Sequence, residues 1–349
     1  MVDAKPGTTE RNALPLDTER LGAYLRGRLE GCDGPVQARQ FPGGQSNPTY
    51  EVTCGQRAWV LRKKPPGTLL PTAHAVDREY RVMTALRDTD VPVPRAFLYC
   101  DDTSILGTEF FVMEFLRGRI FWDPTLPELS PVERARVYAE MGRVLAALHR
   151  VDYAARGLGD YGKPGNYFAR QIGRWTKQYL AAKTDALPSM DRLIEWLPAH
   201  VPQDDTTTLV HGDFRLDNMM FHPSEARVLG VVDWELSTLG HPLADLAYNC
   251  MPFHLPLREG GRLSEIAGAA SGIPTEAEYV AAYCGRTGRA SIPAWTFYLA
   301  FSIFRYASIV QGVYHRGLQG NASSAGEALG MRERAVVAAD TAWSLVRSA

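Results

Sequence analysis

The stretch from Thr208 to Trp234 limits the possible folds more than any other part of the chain. It reads Thr208-Leu209-Val210-His211-Gly212-Asp213-Phe214-Arg215-Leu216-Asp217-Asn218-Met219-Met220-Phe221, and later Val228-Leu229-Gly230-Val231-Val232-Asp233-Trp234. Short apolar runs bounded by turn residues are strand signals. A hairpin from Met219-Met220-Phe221 through His222-Pro223-Ser224-Glu225 into Val228 to Val232 brings Asn218, just before its first strand, beside Asp233, just after its second. Antiparallel pairing makes them neighbours. An amide oxygen and a carboxylate so placed form a hard oxygen site that suits magnesium and leaves room for phosphate oxygens. Asp213 faces the same pocket, where it can accept the proton of a hydroxyl that attacks a terminal phosphoryl group. The Asp-x-x-x-x-Asn spacing alone has no weight, because both residues populate turns for local reasons. The joint pattern does: His-Gly precedes the aspartate, apolar strands flank it, and a second aspartate closes the hairpin. His211 reads as a side chain orienting the loop rather than an acid or base, and His222 as an exposed turn residue.

Around that centre the patterning changes once along the chain. After a short helix near Asp17, Val36 to Lys64 reads as strand, loop, strand, turn, strand. Val76 to Asp88 has helical spacing and is stopped by Val91-Pro92-Val93-Pro94. Strands follow at Arg95 to Cys100 and Glu109 to Phe115, the second an apolar run of the kind found in buried strands. From Ser130-Pro131-Val132-Glu133, a capping box with proline at the first helical position, the pattern turns helical. Helices are expected at Tyr167 to Lys183, Asp191 to Trp196, Thr275 to Cys284, Trp295 to His315 and Glu327 to Val346. At 349 residues this is two folding units or one bilobal enzyme. The expected class is α+β: a small N-terminal antiparallel sheet lobe with one key helix (1–115), then a larger, mainly helical lobe (116–349). A nucleotide commonly lies between such lobes.

Composition excludes several function classes. With 38 basic and 39 acidic side chains, the net charge is -1, so no global positive field collects nucleic acid or an anionic membrane. No run approaches the ~20 consecutive apolar residues of a membrane span, since Trp295 to Val313 is interrupted by Ser302, Arg305 and Gln311. The polar N-terminus, with Asp3, Glu10, Asp17 and Glu19, is unlike a secretion signal. Five cysteines stand singly, without a C-x-x-C pair, so neither a zinc cluster nor a disulfide framework is signalled and a cytoplasmic location is expected. Nothing in the sequence signals an oligomeric state.

The residues around Asp213 resemble the aminoglycoside phosphotransferase and choline kinase group, whose fold is protein-kinase-like, over nearly the whole chain. The resemblance implies that Asp213 is the catalytic base and that Asn218 and Asp233 bind magnesium beside ATP. It further implies a phosphate-covering loop at Phe41-Pro42-Gly43-Gly44-Gln45-Ser46-Asn47, where glycine allows close backbone approach and Ser46 and Asn47 offer donors. Ala58-Trp59-Val60-Leu61-Arg62-Lys63 resembles the strand whose basic residue holds the α- and β-phosphates, and Glu79 resembles its helical partner. Protein kinases place lysine there, so Arg62 is a departure. Lys63 cannot substitute in that register, because strand neighbours point to opposite faces. Phe110 to Leu116, including Glu114 and Phe115, looks like the hinge whose backbone pairs with adenine.

For the acceptor, Pro242 to Ala349 contains nine arginines and no lysine against eight acidic residues, so it lacks the acidic excess that a polycationic drug would require. Phe301 to Arg316, Gly320-Asn321-Ala322-Ser323-Ser324 and Trp234 to Tyr248 are similar to the kinase-like domains fused to some acyl-CoA dehydrogenases. That resemblance implies a hydroxyacyl-CoA thioester as the small-molecule acceptor. Core packing is an equal reading of Trp295, Phe297, Phe301 and Phe304, and a buried ion pair an equal reading of Arg305. Asp245 is expected to brace the catalytic region. Two other functions remain open: an aminoglycoside or macrolide kinase, and a catalytically silent nucleotide-binding scaffold. A protein kinase is disfavoured, because the chain after Asp233 runs directly into Gly240-His241-Pro242 with little room for a peptide platform.

Overall fold

Strand Thr49–Cys54 buries Tyr50, Val52 and Cys54 and leaves the residues between them half-buried, the period-two pattern of a sheet with one covered face. Strand Phe110–Glu114 instead buries four residues in succession, as a strand covered on both sides must. These belong to a five-stranded, wholly antiparallel sheet in a computed structural model that describes residues 16–41, 47–66, 74–257, 260–319 and 325–348. The spatial order is Val36–Gln40, Thr49–Cys54, Arg57–Lys63, Phe110–Glu114, Ala96–Cys100. Helix Thr18–Leu25 buries Leu21 and Leu25 against one face, in a cluster with Val52, Trp59, Leu61, Phe110 and Val112. Helix Val76–Leu86 packs on Ala96–Cys100 and Phe110–Glu114 and buries Val76, Glu79, Val82, Met83 and Leu86, so a carboxylate shares its apolar stripe.

The chain forms two compact units that do not follow a single cut. One comprises the residues up to Trp122 with Ala154–Tyr161 and Leu216–Ser237; the other comprises Asp123–Tyr153, Gly162–Arg215 and the residues from Thr238 onward. Within the first unit, Ala154–Tyr161 is fastened by Arg81, which bonds Asp160 and the Gly157 carbonyl, and by Arg78, whose guanidinium lies 4.0 Å from the Tyr161 ring centroid. Tyr161 Oη in turn meets Ser237 Oγ at 2.7 Å. The expected hairpin is present: Met219–Phe221 pairs antiparallel with Val228–Val231, with Met219 opposite Val231. Arg119 and Phe221 exchange two backbone hydrogen bonds of 2.9 Å beside it. A side chain on Gly118 would collide with the Phe221 carbonyl oxygen, so glycine permits that approach.

The second unit is mainly helical. Helix Pro131–His149 starts in the expected capping box, Ser130 and Glu133 each bonding the other's backbone N–H. Helices Tyr167–Ala182, Pro188–Ala199, Glu276–Thr287, Trp295–Leu318 and Ala325–Arg347 follow, the last two packed on each other. A two-stranded antiparallel ladder joins Thr208–Val210 to Thr238–Gly240. Helix Pro242–Asn249, absent from the sequence reading, is buried along its whole length. It therefore has no solvent-exposed face, and its polar residues Asp245 and Asn249 turn to the loop after Thr208–Val210 instead of to water. Among the described residues no helix is long and apolar enough to cross a membrane.

Candidate functional site

Strand Thr208–Val210 ends one residue before His211, and the loop that follows is tied down atom by atom. Asp245, on helix Pro242–Asn249 and 1% exposed, accepts from His211 N at 2.6 Å and from Gly212 N at 2.9 Å. Asp213 N donates to His211 Nδ1 at 3.2 Å, so His211 serves the loop's backbone. Gly212 has a φ of 84°, a conformation glycine adopts without penalty. Arg305 Nη2 donates to the Gly212 carbonyl at 2.5 Å, and Asn249 Nδ2 to the Phe214 carbonyl at 3.1 Å. The Asp213 carboxylate lies 3.2 Å from Arg215 Nε and also accepts a hydrogen bond from the Tyr248 hydroxyl.

The electrostatics of this unit follow from burial and these donors. Burial pushes Asp245 up, but hydrogen bonds and charge from His149, then the charge and backbone N–H of His211, outweigh it and hold the carboxyl below its usual range. His149 Nε2 lies 3.4 Å from Asp245, and its Nδ1 meets Tyr283 Oη at 2.7 Å. Burial, then the negative charge of Asp213, raise the Tyr248 phenol well above its usual value, so it remains a donor.

In the first unit, the strand Arg57–Lys63 sends Arg62 to one face and Lys63 to the other, where Lys63 Nζ bonds the Leu106 carbonyl at 2.7 Å. Arg62 meets three carboxylates: Asp233 at 2.7 Å, Glu79 at 3.1 Å and Glu235 at 3.7 Å. Arg62 Nε faces Glu79 without the alignment of a hydrogen bond. Burial pushes Glu79 up to about 8; Arg62 pulls it down, and Asp233 and Glu235 push it further up. Burial opposes the charge on Arg62, yet the three acids raise it above its already high value, so it stays a cation. Asn47 Nδ2 donates to Glu79 at 3.1 Å, and Asn47 Oδ1 meets His74 Nδ1 at 3.2 Å.

Asn218 and Asp233 bracket the open end of the hairpin, where Val232 N donates to the Asn218 carbonyl at 2.9 Å. Asp233 has a φ of 67°, a left-handed conformation that Asp tolerates better than most residues. Its side chain is 34% exposed and that of Arg62 only 12%, so the acid is the more open half of their pair. Among the described residues no three His, Cys, Asp or Glu side chains are arranged to hold a metal ion by themselves.

Thus Asn47, Arg62, Glu79 and Asp233 come together in the first unit, with Asn218 beside Asp233 in the hairpin, while Asp213 belongs to the second unit. Glu114 uses its backbone and carboxylate on Arg95, whose carbonyl and N–H lie at 2.8 and 3.2 Å. Phe115 stacks on Phe41 with ring centroids 6.3 Å apart. Gly44 and Ser46 lie outside the described residues. Sequence reasoning missed Glu235, Tyr248 and the His149–Tyr283 contact. The spacing of Glu235, two after Asp233, is a signal that was there to be read; a contact spanning 134 residues such as His149 to Tyr283 leaves none.

Three comparisons bear on this geometry. The model of the phosphotransferase enzyme family matches residues 37–289. Acyl-CoA dehydrogenase family member 10 of Mus musculus is 50% identical over 320 residues, covering 90% of this chain and 30% of that protein. A crystal structure from Ralstonia eutropha, provisionally described as an aminoglycoside phosphotransferase, is 50% identical with a TM-score of 0.88, covering 96% of this chain and 99% of that one. Spectinomycin phosphotransferase, in complex with ADP and spectinomycin, has a TM-score of 0.63 at 13% identity, covering 95% of this chain and 99% of that one, and shows the fold alone. The chain belongs to the phosphotransferase enzyme family, with its protein-kinase-like fold. It is a small-molecule phosphotransferase. The chain spans less than half the length of the acyl-CoA dehydrogenase relatives it matches.

Proposed function

We propose that the protein transfers the γ-phosphate of ATP to a hydroxyl of a small acceptor, with Asp213 as the base. In this reading residues 1–115 take the nucleotide and 116–349 contribute the catalytic loop and the acceptor site. The observation that supports it is the hairpin register: Met219 pairs with Val231 and Val232 N bonds the Asn218 carbonyl, so Asp233 follows directly on the residue opposite Asn218. An amide oxygen and a carboxylate fit magnesium as two of its hard ligands, which leaves phosphate oxygens to complete its coordination. When bound, the ion would neutralise phosphate charge. Asp213, fixed by the tied loop, takes the proton of the acceptor hydroxyl as its oxygen bonds the γ-phosphorus, and the bond to the bridging oxygen breaks to release ADP. Arg62 is the cation at hand for the α- and β-phosphates, and Glu79 holds its Nε side. Asn47 holds Glu79 through its amide, and the backbone at Glu114 and Phe115 would take the base.

For the acceptor we favour a hydroxyl-bearing acyl-CoA thioester. The relatives at about half identity are acyl-CoA dehydrogenase family members, and the stretch from Pro242 onward, with nine arginines against eight acidic residues, lacks the acidic excess that a polycationic acceptor would require. An aminoglycoside is the second reading, favoured by the description of the Ralstonia structure. Incubation with magnesium-ATP and a panel of hydroxyacyl-CoAs, sugars, amino alcohols and antibiotics, followed by mass spectrometry, separates them. A phosphate adduct on a hydroxyacyl-CoA is expected. Adducts confined to antibiotics, or on no thioester, would remove the preferred acceptor.

A further inference from the structure

Arg305 is a buried cation that, among the described residues, has no carboxylate partner, and its Nε has no hydrogen-bond acceptor. A lone guanidinium out of water is costly to keep, and a methionine of similar volume would pack there without that penalty. Its one polar bond goes to the Gly212 carbonyl at 2.5 Å, the oxygen of the peptide that joins Gly212 to Asp213. The opposite end of that peptide, Asp213 N, is held by His211 Nδ1. The preceding peptide is held through Gly212 N by Asp245. Gly212 sits at positive φ between the two. Glycine is the residue with least intrinsic resistance to rotating here, so each external hold counts. The guanidinium also lies 5.2 Å from the Tyr248 ring centroid and 5.5 Å from that of Trp175. Tyr248 is the side chain whose hydroxyl bonds the Asp213 carboxylate. One cation thus bears on Asp213 twice, through its backbone and through the ring of its phenol partner.

We propose that Arg305 is a positioning residue for Asp213: it fixes the Gly212–Asp213 peptide plane from the carbonyl side and seats Tyr248 against the carboxylate. The proposal rests on Asp213 being the base where catalysis is concerned; its structural half does not. Asp245 and Arg305 then form a clamp of opposite charges on the two peptides that flank Gly212. Removing the positive jaw frees the Gly212–Asp213 peptide to rotate while Asp245 still holds the preceding peptide through Gly212 N, so the loop stays attached and loses its orientation.

The test uses the whole chain with Arg305→Met and Arg305→Lys, the second keeping the charge on a shorter donor. Hydrogen exchange is followed on peptides covering His211–Arg215 and on helix Thr18–Leu25 as a distant control, with ADP affinity measured alongside. In Arg305→Met, exchange at His211–Arg215 should rise on the order of ten- to a hundredfold, the loss expected for one charge-assisted hydrogen bond. The control helix and the ADP dissociation constant should stay within about twofold, and Arg305→Lys should recover part of the protection. Wherever an acceptor is turned over, kcat should fall far more than KM rises. Unchanged loop exchange in Arg305→Met would overturn the proposal. So would a uniform rise across the second unit in both variants, which marks a residue that only packs. If no acceptor is ever phosphorylated, the base assignment fails while the exchange result still decides the clamp.

Discussion

Replacing Asp245 with asparagine tests how the loop is held. The wild-type carboxylate accepts two buried backbone N–H groups at 2.6 and 2.9 Å and faces His149 Nε2 at 3.4 Å. An amide keeps one oxygen and turns its NH2 towards a donor, leaving one buried N–H unsatisfied, at ~1–3 kcal/mol. The remaining bond drops from charge-assisted to neutral, a further ~1 kcal/mol. Asp245→Asn should therefore destabilise the second unit by about 2–4 kcal/mol, which in a unit of this size lowers its melting temperature by roughly 10 °C. The sign with pH is also fixed. Asp245 is held below its ordinary 3.8, so its contribution is present at neutral pH and is lost as pH falls through the lowered value. The gap between variant and wild type should narrow in acid. Urea and thermal unfolding at pH 7 and at a pH well below 3.8 check both parts. A variant that melts within about 2 °C of wild type at pH 7 would refute the reasoning, because the two short bonds would then contribute nothing net.

Two further outcomes follow from buried charges. Burial lowers His241 to about 4 from an ordinary 6.5, against the opposing pull of Asp204 3.4 Å away. That gap is worth ~3 kcal/mol, present above pH ~6.5 and lost as pH falls towards ~4; His241→Gln should flatten that window in urea unfolding, and a wild-type slope in the variant would contradict it. Glu79 is raised from 4.5 to about 8, so its share of stability is full below about 4.5 and declines as pH rises through 8. Glu79→Gln, which mimics the protonated acid, should lie within about 1 kcal/mol of wild type at pH 5 and gain on it at pH 9; a gap that does not change with pH counts against the buried-acid assignment.

How much was legible in the sequence depended on whether the signal was local. The capping box at Ser130, the strand order from Val36 to Lys64 and the hairpin from Met219 to Val231 are each written in one continuous stretch of sequence, and each is present. Strand alternation puts Arg62 and Lys63 on opposite faces, and the structure turns Arg62 to Glu79 and Lys63 to the Leu106 carbonyl. Helix Pro242–Asn249 was missed because complete burial erases the periodicity that reveals helices. Of the residues that steady the Asp213 loop, His211 and Asp245 were read in the sequence, whereas Arg305 was not: it lies 93 positions from Gly212, and only packing brings them together. Asn47 was read as a phosphate donor, while in the structure its amide bonds Glu79.

The most direct test of the account compares wild type with Asp213→Asn under magnesium-ATP and the acceptor that the mass-spectrometric panel identifies, measuring phosphorylated product and, separately, ADP affinity. Removing a general base slows such steps by roughly 10²–10⁴-fold. The account predicts a loss of that size in product formation, with ADP binding within about threefold of wild type. Product formed by Asp213→Asn at the wild-type rate would contradict it.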